Sequence, residues 1–130
     1  MTHGSLEERA IAARERAYAP YSGYRVGAAL EADDGRVFEG CNVENAAYSV
    51  TCCAERVALF SAVSAGARRF RRLVVSAAGR TPYPCGACRQ ALSELAPNLS
   101  ITVLAGDGER HEFALDELLP KPFRMEPRRS

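Results

Sequence analysis

The sequence TCCAERVALFSAVSAG fills residues 51–66 and has the apolar spacing of a helix. Thr51 is a plausible N-cap, and Gly66 is the kind of residue that ends a helix. The predicted helix therefore runs from about Cys52 to Ala65. Its first turn combines cysteine, glutamate and arginine, so its amino-terminal end is a candidate for chemistry as well as for packing.

Before this helix, the chain predicts one further helix and a β-hairpin. Ser5 and Glu8 form a capping-box pair, which places the start of a helix that continues to about Tyr18. Residues 24–30 and 36–41 are predicted strands, because both are β-rich and an Asp-Asp-Gly turn joins them. The sheet is therefore expected to begin with an antiparallel pair.

After this helix, strands and helices alternate. The predicted elements are a strand at residues 73–78, a helix from near Cys85 that ends before Pro97, strands at residues 101–104 and 112–114, and a short helix at residues 115–119. This alternation predicts an α/β fold with three layers, α/β/α, around a mixed sheet of about five strands. The length of 130 residues is that of one domain, so residues 1–130 are expected to form a single domain.

The overall charge argues against a nucleic acid as partner. Lysine and arginine number 17 against 16 acidic residues, and the formal charge of +1 provides no field that would hold a polyanion. A local basic cluster is predicted to be a solvated surface loop; it consists of Arg68, Arg69, Arg71 and Arg72.

The amino terminus and the cysteines indicate the compartment. Residues 1–16 mix charged side chains with alanine and contain no apolar run typical of a signal peptide or a membrane span. We therefore expect a cytoplasmic protein with no membrane partner. In that compartment five cysteines, of which Cys52 and Cys53 are adjacent, favour metal binding or catalysis over a disulfide framework.

Three cysteines are predicted to meet at two helix starts. Cys53 lies at the beginning of one helix, and Cys85 and Cys88 lie within the first turn of another. Free backbone N–H groups and the helix dipole favour thiolates at these positions, and the thiolate is the form that binds metal. One Zn²⁺ ion held by these three sulfurs would keep its fourth position for water, as catalytic zinc sites do.

Two neighbours of Cys53 are candidates for supporting roles. Glu55 is two positions away and points away from the direction of the sulfur, so it is poorly placed as a ligand and well placed to move protons beside the metal. Arg56 is three positions away on the same helical face and can donate hydrogen bonds to the sulfurs. The sequence thus predicts Glu55 as a catalytic proton carrier and Arg56 as a group that offsets the negative charge of the thiolates.

The cysteine motifs have other interpretations as well. Residues 85–88 alone fit a redox CxxC motif or half of a structural zinc site. Cys52 competes with Cys53 as a ligand, but only Cys53 gives its two charged neighbours useful positions. Cys41 is interpreted as a small buried apolar residue.

Cys53-Ala54-Glu55 and Pro84-Cys85-Gly86-Ala87-Cys88 together resemble the signature of the zinc deaminases, in which a glutamate carries protons beside the metal. Four segments resemble the free-nucleoside cytidine deaminases in particular: AYAPYS at residues 17–22, VGAAL at 26–30, GCNVENAAY at 40–48 and CGACRQ at 85–90. Several of them have no part in holding metal. The resemblance implies hydrolytic deamination of cytidine and deoxycytidine in pyrimidine salvage.

The resemblance also implies which residues bind the substrate. Asn42 and Glu44 would hold the ribose hydroxyls, and the backbone of Ala54 would contact the base. Tyr24 stands where the family usually has phenylalanine, near the pyrimidine, so its phenol needs a hydrogen-bond partner or solvent.

Assembly is a further implication of the resemblance. In the family, the residues that match Ala46, Tyr48 and Phe123 reach the site of a neighbouring subunit. A first ligand that is cysteine rather than histidine, in a short chain, resembles the homotetrameric branch of the family. A homotetramer with one zinc ion per subunit is therefore expected.

Three other functions stay open from the sequence. A related aminopyrimidine such as blasticidin S is a possible substrate, although residues 42–45 argue against it. A non-catalytic module stabilised by zinc would have a closed site with four protein ligands. A deaminase of polynucleotides is disfavoured by the near-neutral charge.

Overall fold

A five-stranded sheet forms the centre of the computed structural model, which describes residues 4–128. The strands are Val26–Ala32 (β1), Val37–Cys41 (β2), Phe70–Ala77 (β3), Ser100–Leu104 (β4) and Arg110–Ala114 (β5). Their spatial order is β2-β1-β3-β4-β5, with β3 and β4 parallel and all other neighbours antiparallel. The predicted mixed sheet of about five strands is confirmed.

Helices cover both faces of this sheet. They are Leu6–Ala13 (α1), Ala54–Ser64 (α2), Gly86–Leu95 (α3) and Leu115–Leu118 (α4). On one face, Ala10 of α1 packs with Ala29 and Val74 in a small core. On the other face, α2 and α3 contribute Ala58 and Leu92 to the larger core. The predicted three-layer α/β/α arrangement is therefore confirmed.

Two glycines in the sheet let the helices approach closely. A Cβ atom at Gly40 of β2 would collide with the carbonyl oxygen of Ala54 and lie 2.5 Å from the backbone nitrogen of Ala58. A Cβ atom at Gly27 of β1 would collide in the same way with the carbonyl oxygen of Ala10 in α1. Glycine at these positions fixes how near α1 and α2 lie to the strands.

The first helix is shorter than the sequence predicted. Its capping box of Ser5 and Glu8 is present, but α1 ends at Ala13 and a short 3₁₀ turn follows at Arg14–Arg16. The chain is then drawn into an extended conformation, because the Tyr18 N–H donates to the Asn42 carbonyl at 3.0 Å. A helix that continued to Tyr18 would lose this pairing.

The start of α2 also differs from the prediction. Cys53, not Thr51, is the N-cap residue, and the helix begins at Ala54. The cause is Cys52, which pairs with Val43 through two backbone hydrogen bonds of 2.9 Å and therefore stays extended.

An ion-pair network fastens α1 to the sheet. Glu7 accepts from Arg72 of β3 at 2.6 Å and from Arg110 of β5 at 2.9 Å. Hydrogen bonds from Arg72 and Arg110 lower the pKa of the Glu7 carboxyl to about 2. Arg71 and Arg72 thus belong to a strand rather than to the solvated loop that the sequence predicted.

In the part of the chain described by the structure, no helix is both long enough and apolar enough to span a lipid bilayer.

Candidate active site

Three sulfur atoms meet where α2 and α3 begin. Cys53 is the N-cap of α2, Cys85 is the N-cap of α3, and Cys88 lies in the first turn of α3. Their sulfur atoms all lie within 4.8 Å of one another, and those of Cys53 and Cys85 are 3.7 Å apart. Two separate helices therefore deliver the predicted cluster to one point.

The spacing of these sulfurs fits a zinc ion. Two thiolates at Zn–S bonds of about 2.3 Å on a tetrahedral ion would stand about 3.8 Å apart, close to the observed 3.7 Å. Within residues 4–128, the cluster contains three candidate ligand residues and no fourth. Three protein ligands are typical of a catalytic zinc site, whereas a closed structural site has four. This geometry argues against the non-catalytic module.

The cluster contains Cys53 and excludes its neighbour. Cys52 lies outside the three-sulfur group, as expected from its extended pairing with Val43. Cys41, at the end of β2, is half-buried rather than buried and also lies outside the cluster. Residues 85–88 thus supply two of the three sulfurs, and Cys53 at the start of α2 supplies the third.

The surroundings of Cys53 favour a thiolate. Hydrogen bonds from the Cys88 thiol and from Arg56 lower the pKa of the Cys53 thiol, and the same pairing raises the pKa of the Cys88 thiol. Arg56 and the neighbouring thiols thus stabilise negative charge on the Cys53 sulfur. Because zinc binds deprotonated sulfur, these surroundings favour metal binding.

Arg56 reaches the sulfurs as its position on the helix suggested. Its Nη2 atom lies 3.5 Å from the Cys53 sulfur. Its Nε atom is buried and has no hydrogen-bond partner among the described residues. An unsatisfied buried N–H beside thiolates is costly unless negative charge accumulates there, so this guanidinium fits a site built to hold several thiolates.

Glu55 is the buried acid of the site. Only 4% of its surface is exposed, and it lines the same cleft as Cys53 and Cys85. Burial, together with the nearby Cys53 sulfur, raises the pKa of the Glu55 carboxyl to about 7. A carboxyl group with such a pKa exists in both protonation states near neutral pH, which suits a group that accepts and returns protons.

The cleft beside Glu55 has a volume of about 280 Å³ and is lined by three of the predicted substrate residues, Tyr24, Asn42 and Ala54. The Asn42 side chain accepts from the Val26 N–H at 2.9 Å and donates to the Tyr24 carbonyl at 2.8 Å. These bonds replace sheet pairing, which explains why β1 begins at Val26 rather than at the predicted Tyr24.

Glu44 lies in an adjoining outer pocket of about 340 Å³ rather than in the cleft itself. Both spaces share Thr51 as a lining residue. The Glu44 carboxylate accepts from the backbone N–H groups of Tyr21 at 2.9 Å and Ser22 at 3.1 Å, and also from the Ser22 hydroxyl. The hydrogen bond from Ser22 lowers the pKa of this carboxyl, so Glu44 is held as an anion.

The residues expected to reach another subunit are exposed in this single chain. Tyr48, in the outer pocket, is 82% exposed, and Ala46 is exposed beside it. Phe123 is 69% exposed and does not line the cleft. Its backbone is held by the Gln90 side chain through hydrogen bonds of 2.9 and 3.0 Å. The chain alone therefore does not bring these side chains to the metal cluster.

Sequence reasoning missed the loop between β3 and α3 as a wall of the cleft. Arg80 and Tyr83 of this loop line the cleft with Glu55. The guanidinium of Arg80 lies over the Tyr24 ring, and its carbonyl accepts from the Tyr24 hydroxyl. This carbonyl is the partner that the phenol needs. The available signal was the position of the loop, which leads directly into Cys85.

Known proteins are similar to this chain in sequence and in fold. Residues 1–103 match the family described as "Cytidine and deoxycytidylate deaminase zinc-binding region". A cytidine deaminase of Sporosarcina psychrophila is 51% identical over 118 residues, which cover 88% of this chain and 85% of that protein. A blasticidin-S deaminase of Bacillus cereus is 32% identical over 112 residues, with 77% of each chain covered.

The crystal structure of cytidine deaminase from Burkholderia pseudomallei has the same fold. It superimposes with a TM-score of 0.88 at 49% identity and covers 95% of this chain and 100% of that chain. The three-cysteine cluster fits the zinc-binding region that the matched family is named for. The similarity extends over nearly the whole chain in sequence and in structure, and the chain therefore belongs to the cytidine deaminase family.

Proposed function

We propose that this protein is a zinc-dependent enzyme that hydrolyses the 4-amino group of cytidine and deoxycytidine. Water and the nucleoside are consumed, and uridine or deoxyuridine and ammonia are produced. The observation that carries this proposal is a cluster of three cysteine sulfurs, two of which line the same cleft as one buried glutamate. The near relatives named cytidine deaminase support the choice of substrate.

Cys53, Cys85 and Cys88 are the residues that would hold the zinc ion. When bound, zinc supplies a Lewis acid that makes a water molecule nucleophilic near neutral pH. Three thiolates carry more negative charge than one dication compensates. Arg56, at 3.5 Å from the Cys53 sulfur, offsets part of this excess without occupying a coordination position.

Glu55 moves the protons of the reaction. It takes a proton from the attacking water, delivers it to ring N3 and assists departure of the amino group as ammonia. Burial supports this role in two ways. It holds the carboxyl near its protonation midpoint at neutral pH, and it excludes bulk water from the reacting atoms.

The remaining cleft residues would bind the nucleoside. Asn42 and Glu44 are proposed to hold the ribose hydroxyls, because an amide and a carboxylate can together accept and donate to a sugar. Tyr24 is proposed to pack against the pyrimidine ring, and the backbone of Ala54 to bind its polar edge. Glu44 already accepts three hydrogen bonds, so its carboxylate is fixed before substrate arrives.

We further propose a homotetramer in which Ala46, Tyr48 and Phe123 complete the site of a neighbouring subunit. The support is their exposure in the single chain, since large aromatic side chains at 69% and 82% exposure leave apolar surface uncovered. A cytoplasmic location, a place in pyrimidine salvage and a single domain over residues 1–130 complete the proposal. The near-neutral charge argues against a nucleic acid as partner.

Zinc stoichiometry and ammonia release, measured on one preparation, test the function. We expect one zinc ion per chain and release of one ammonia for each cytidine converted to uridine. A protein that binds zinc fully but deaminates neither cytidine nor deoxycytidine would refute the proposal. The same assay with blasticidin S separates the alternative substrate, for which the Bacillus cereus relative provides a reason to look.

A further inference from the structure

We infer that Arg80 is a positioning residue of the cleft, whose carbonyl and guanidinium together hold the Tyr24 ring as one of its walls. The kinetic consequence of this inference rests on the proposed function. The contacts that carry it do not, because they join two parts of the chain whether or not substrate is present.

The first contact is a hydrogen bond across the cleft. The Tyr24 hydroxyl donates to the Arg80 carbonyl at 2.9 Å, and these two residues are 56 positions apart in the sequence. Tyr24 precedes β1, and Arg80 lies in the loop that leads into Cys85. A phenylalanine at residue 24 would leave this carbonyl without the bond. The hydroxyl therefore ties the metal-proximal loop to the first strand.

The second contact is between charge and ring. The guanidinium carbon of Arg80 lies 4.8 Å from the centroid of the Tyr24 ring, within the range of cation–π attraction. Among residues 4–128, no carboxylate forms an ion pair with Arg80. The ring is therefore the main described partner of this charge.

The loop is also held by the turn between β4 and β5. The Gly106 N–H donates to the Gly79 carbonyl at 3.1 Å, and a Cβ atom at Gly106 would collide with the Ala78 carbonyl. One end of the loop is thus anchored against the turn between β4 and β5. The contacts with Tyr24 hold the next residue, Arg80, so this wall of the cleft is fixed at two adjacent positions.

The position of the Tyr24 ring affects binding more than chemistry. Tyr24 and Arg80 line the cleft with Glu55 but belong to neither the sulfur cluster nor the proton path. A flat base packs well only against a ring of fixed orientation, because a mobile ring must be ordered each time substrate binds. Loss of the Arg80 contacts should therefore raise KM and leave kcat nearly unchanged.

Steady-state kinetics with cytidine test this split. Tyr24→Phe and Arg80→Ala should each raise KM about 3- to 10-fold, the effect of one hydrogen bond or one cation–π contact, with kcat within about twofold. Arg80→Lys should lie closer to wild type than Arg80→Ala, because it keeps a cation. The double variant should lose less than the product of the two single losses, because both changes break one unit. Tyr18→Phe, at an exposed tyrosine outside the cleft, is the matched control.

Hydrogen exchange of the loop amides at residues 79–81 and 83 provides a readout that needs no turnover. Exchange should be faster in Tyr24→Phe and Arg80→Ala than in wild type at full zinc content, and unchanged in Tyr18→Phe. Unchanged exchange in both cleft variants would overturn the inference, as would KM values within twofold of wild type. If exchange is faster in the two cleft variants but the wild-type protein deaminates no nucleoside, the proposed function is refuted and the positioning role of Arg80 stands.

Discussion

The inner and outer ends of the proposed substrate site are built in different ways. At the inner end, Glu55 is 4% exposed and the three sulfurs lie within 4.8 Å of one another. At the outer end, Tyr48 is 82% exposed in its pocket, and Phe123, proposed to complete the site of a neighbouring subunit, lines neither space in this chain. One chain therefore assembles the chemical groups fully, whereas it leaves the aromatic groups of the outer end without a partner.

This difference separates two physical requirements. Metal binding and proton transfer need short fixed distances, which α2 and α3 supply through helix starts that pack on one sheet face. Contacts to a sugar or a base edge need enclosure, which a second chain can supply after folding. Changes at the inner end should thus abolish chemistry, and changes at the outer end should weaken binding.

The largest effect is expected from loss of a ligand. Cys85→Ala should reduce both zinc content and deamination to background, because two sulfurs do not retain the ion against dilution. Metal analysis of the purified variant measures this directly. Cys41→Ala is the matched control, since its sulfur lies outside the cluster and should leave one zinc ion per chain. Full zinc content in Cys85→Ala would remove that residue from the ligand set.

The next effect is loss of proton transfer without loss of metal. Glu55→Gln should lower kcat about 10²- to 10⁴-fold with unchanged zinc content, because the amide keeps the shape of the carboxyl but carries no proton between atoms. Glu94→Gln, at an exposed carboxylate of α3, should match wild type. Retained turnover at full zinc occupancy would contradict the role of Glu55 and with it the distinction between the two ends of the site.

A smaller effect is expected at the outer end. Tyr48→Ala and Phe123→Ala should raise KM for cytidine about 5- to 20-fold and leave zinc content unchanged, since each removes one aromatic contact. Met125→Ala provides the control, because this residue is exposed in the same tail and has no proposed contact. Sedimentation of the same samples would show whether the variants also lose the tetramer. Equal KM values in all three variants would show that the outer end is complete without these rings.

The smallest effect on activity is expected far from the site, in the network around Glu7. Because the folded-state pKa of Glu7 is about 2, below its ordinary value of 4.5, its stabilising contribution is present at neutral pH. That contribution is lost as pH falls from about 5 toward 2, where the folded protein also binds the proton. Glu7→Gln should reduce the free energy of unfolding by about 1 kcal/mol at pH 7, a value limited by solvent screening.

Urea denaturation at a series of pH values measures this change. The difference between wild type and Glu7→Gln should shrink steadily below pH 5, while kcat and KM at pH 7 stay equal to those of wild type. A difference that does not vary with pH would show that packing of the side chain, rather than its charge, is responsible.

The sequence predicted which residues meet at the inner end because its signals are local. Cysteine at a helix start and a glutamate two positions further on depend on helical geometry alone, and the structure brings Cys53 and Glu55 to the same cleft. The start of α2 was misplaced by two residues, because the pairing of Cys52 with Val43 is a contact between distant segments. The N-cap preference of Thr51 contains no information about the pairing of Cys52 with Val43.

The cleft wall could not be predicted for the same reason. Nothing near Arg80 in the sequence shows that its carbonyl faces Tyr24, 56 residues earlier. The fastening of its loop depends on Gly106, which belongs to a turn later in the chain. The separation of Glu44 from the cleft likewise follows from how residues 21 and 22 fold over its carboxylate. Such features depend on the assembled sheet rather than on local pattern.

The close approach at Gly40 has a consequence for the tolerance of this protein to mutation. Cys53 caps the helix that rests on Gly40, whereas Cys85 and Cys88 belong to another helix. A methyl group at residue 40 would lift the first turn of α2 and carry one sulfur away from the other two. A random mutagenesis screen for zinc retention should therefore reject alanine at residue 40 as firmly as it rejects changes in the ligands, although Gly40 belongs neither to the sulfur cluster nor to the cleft lining.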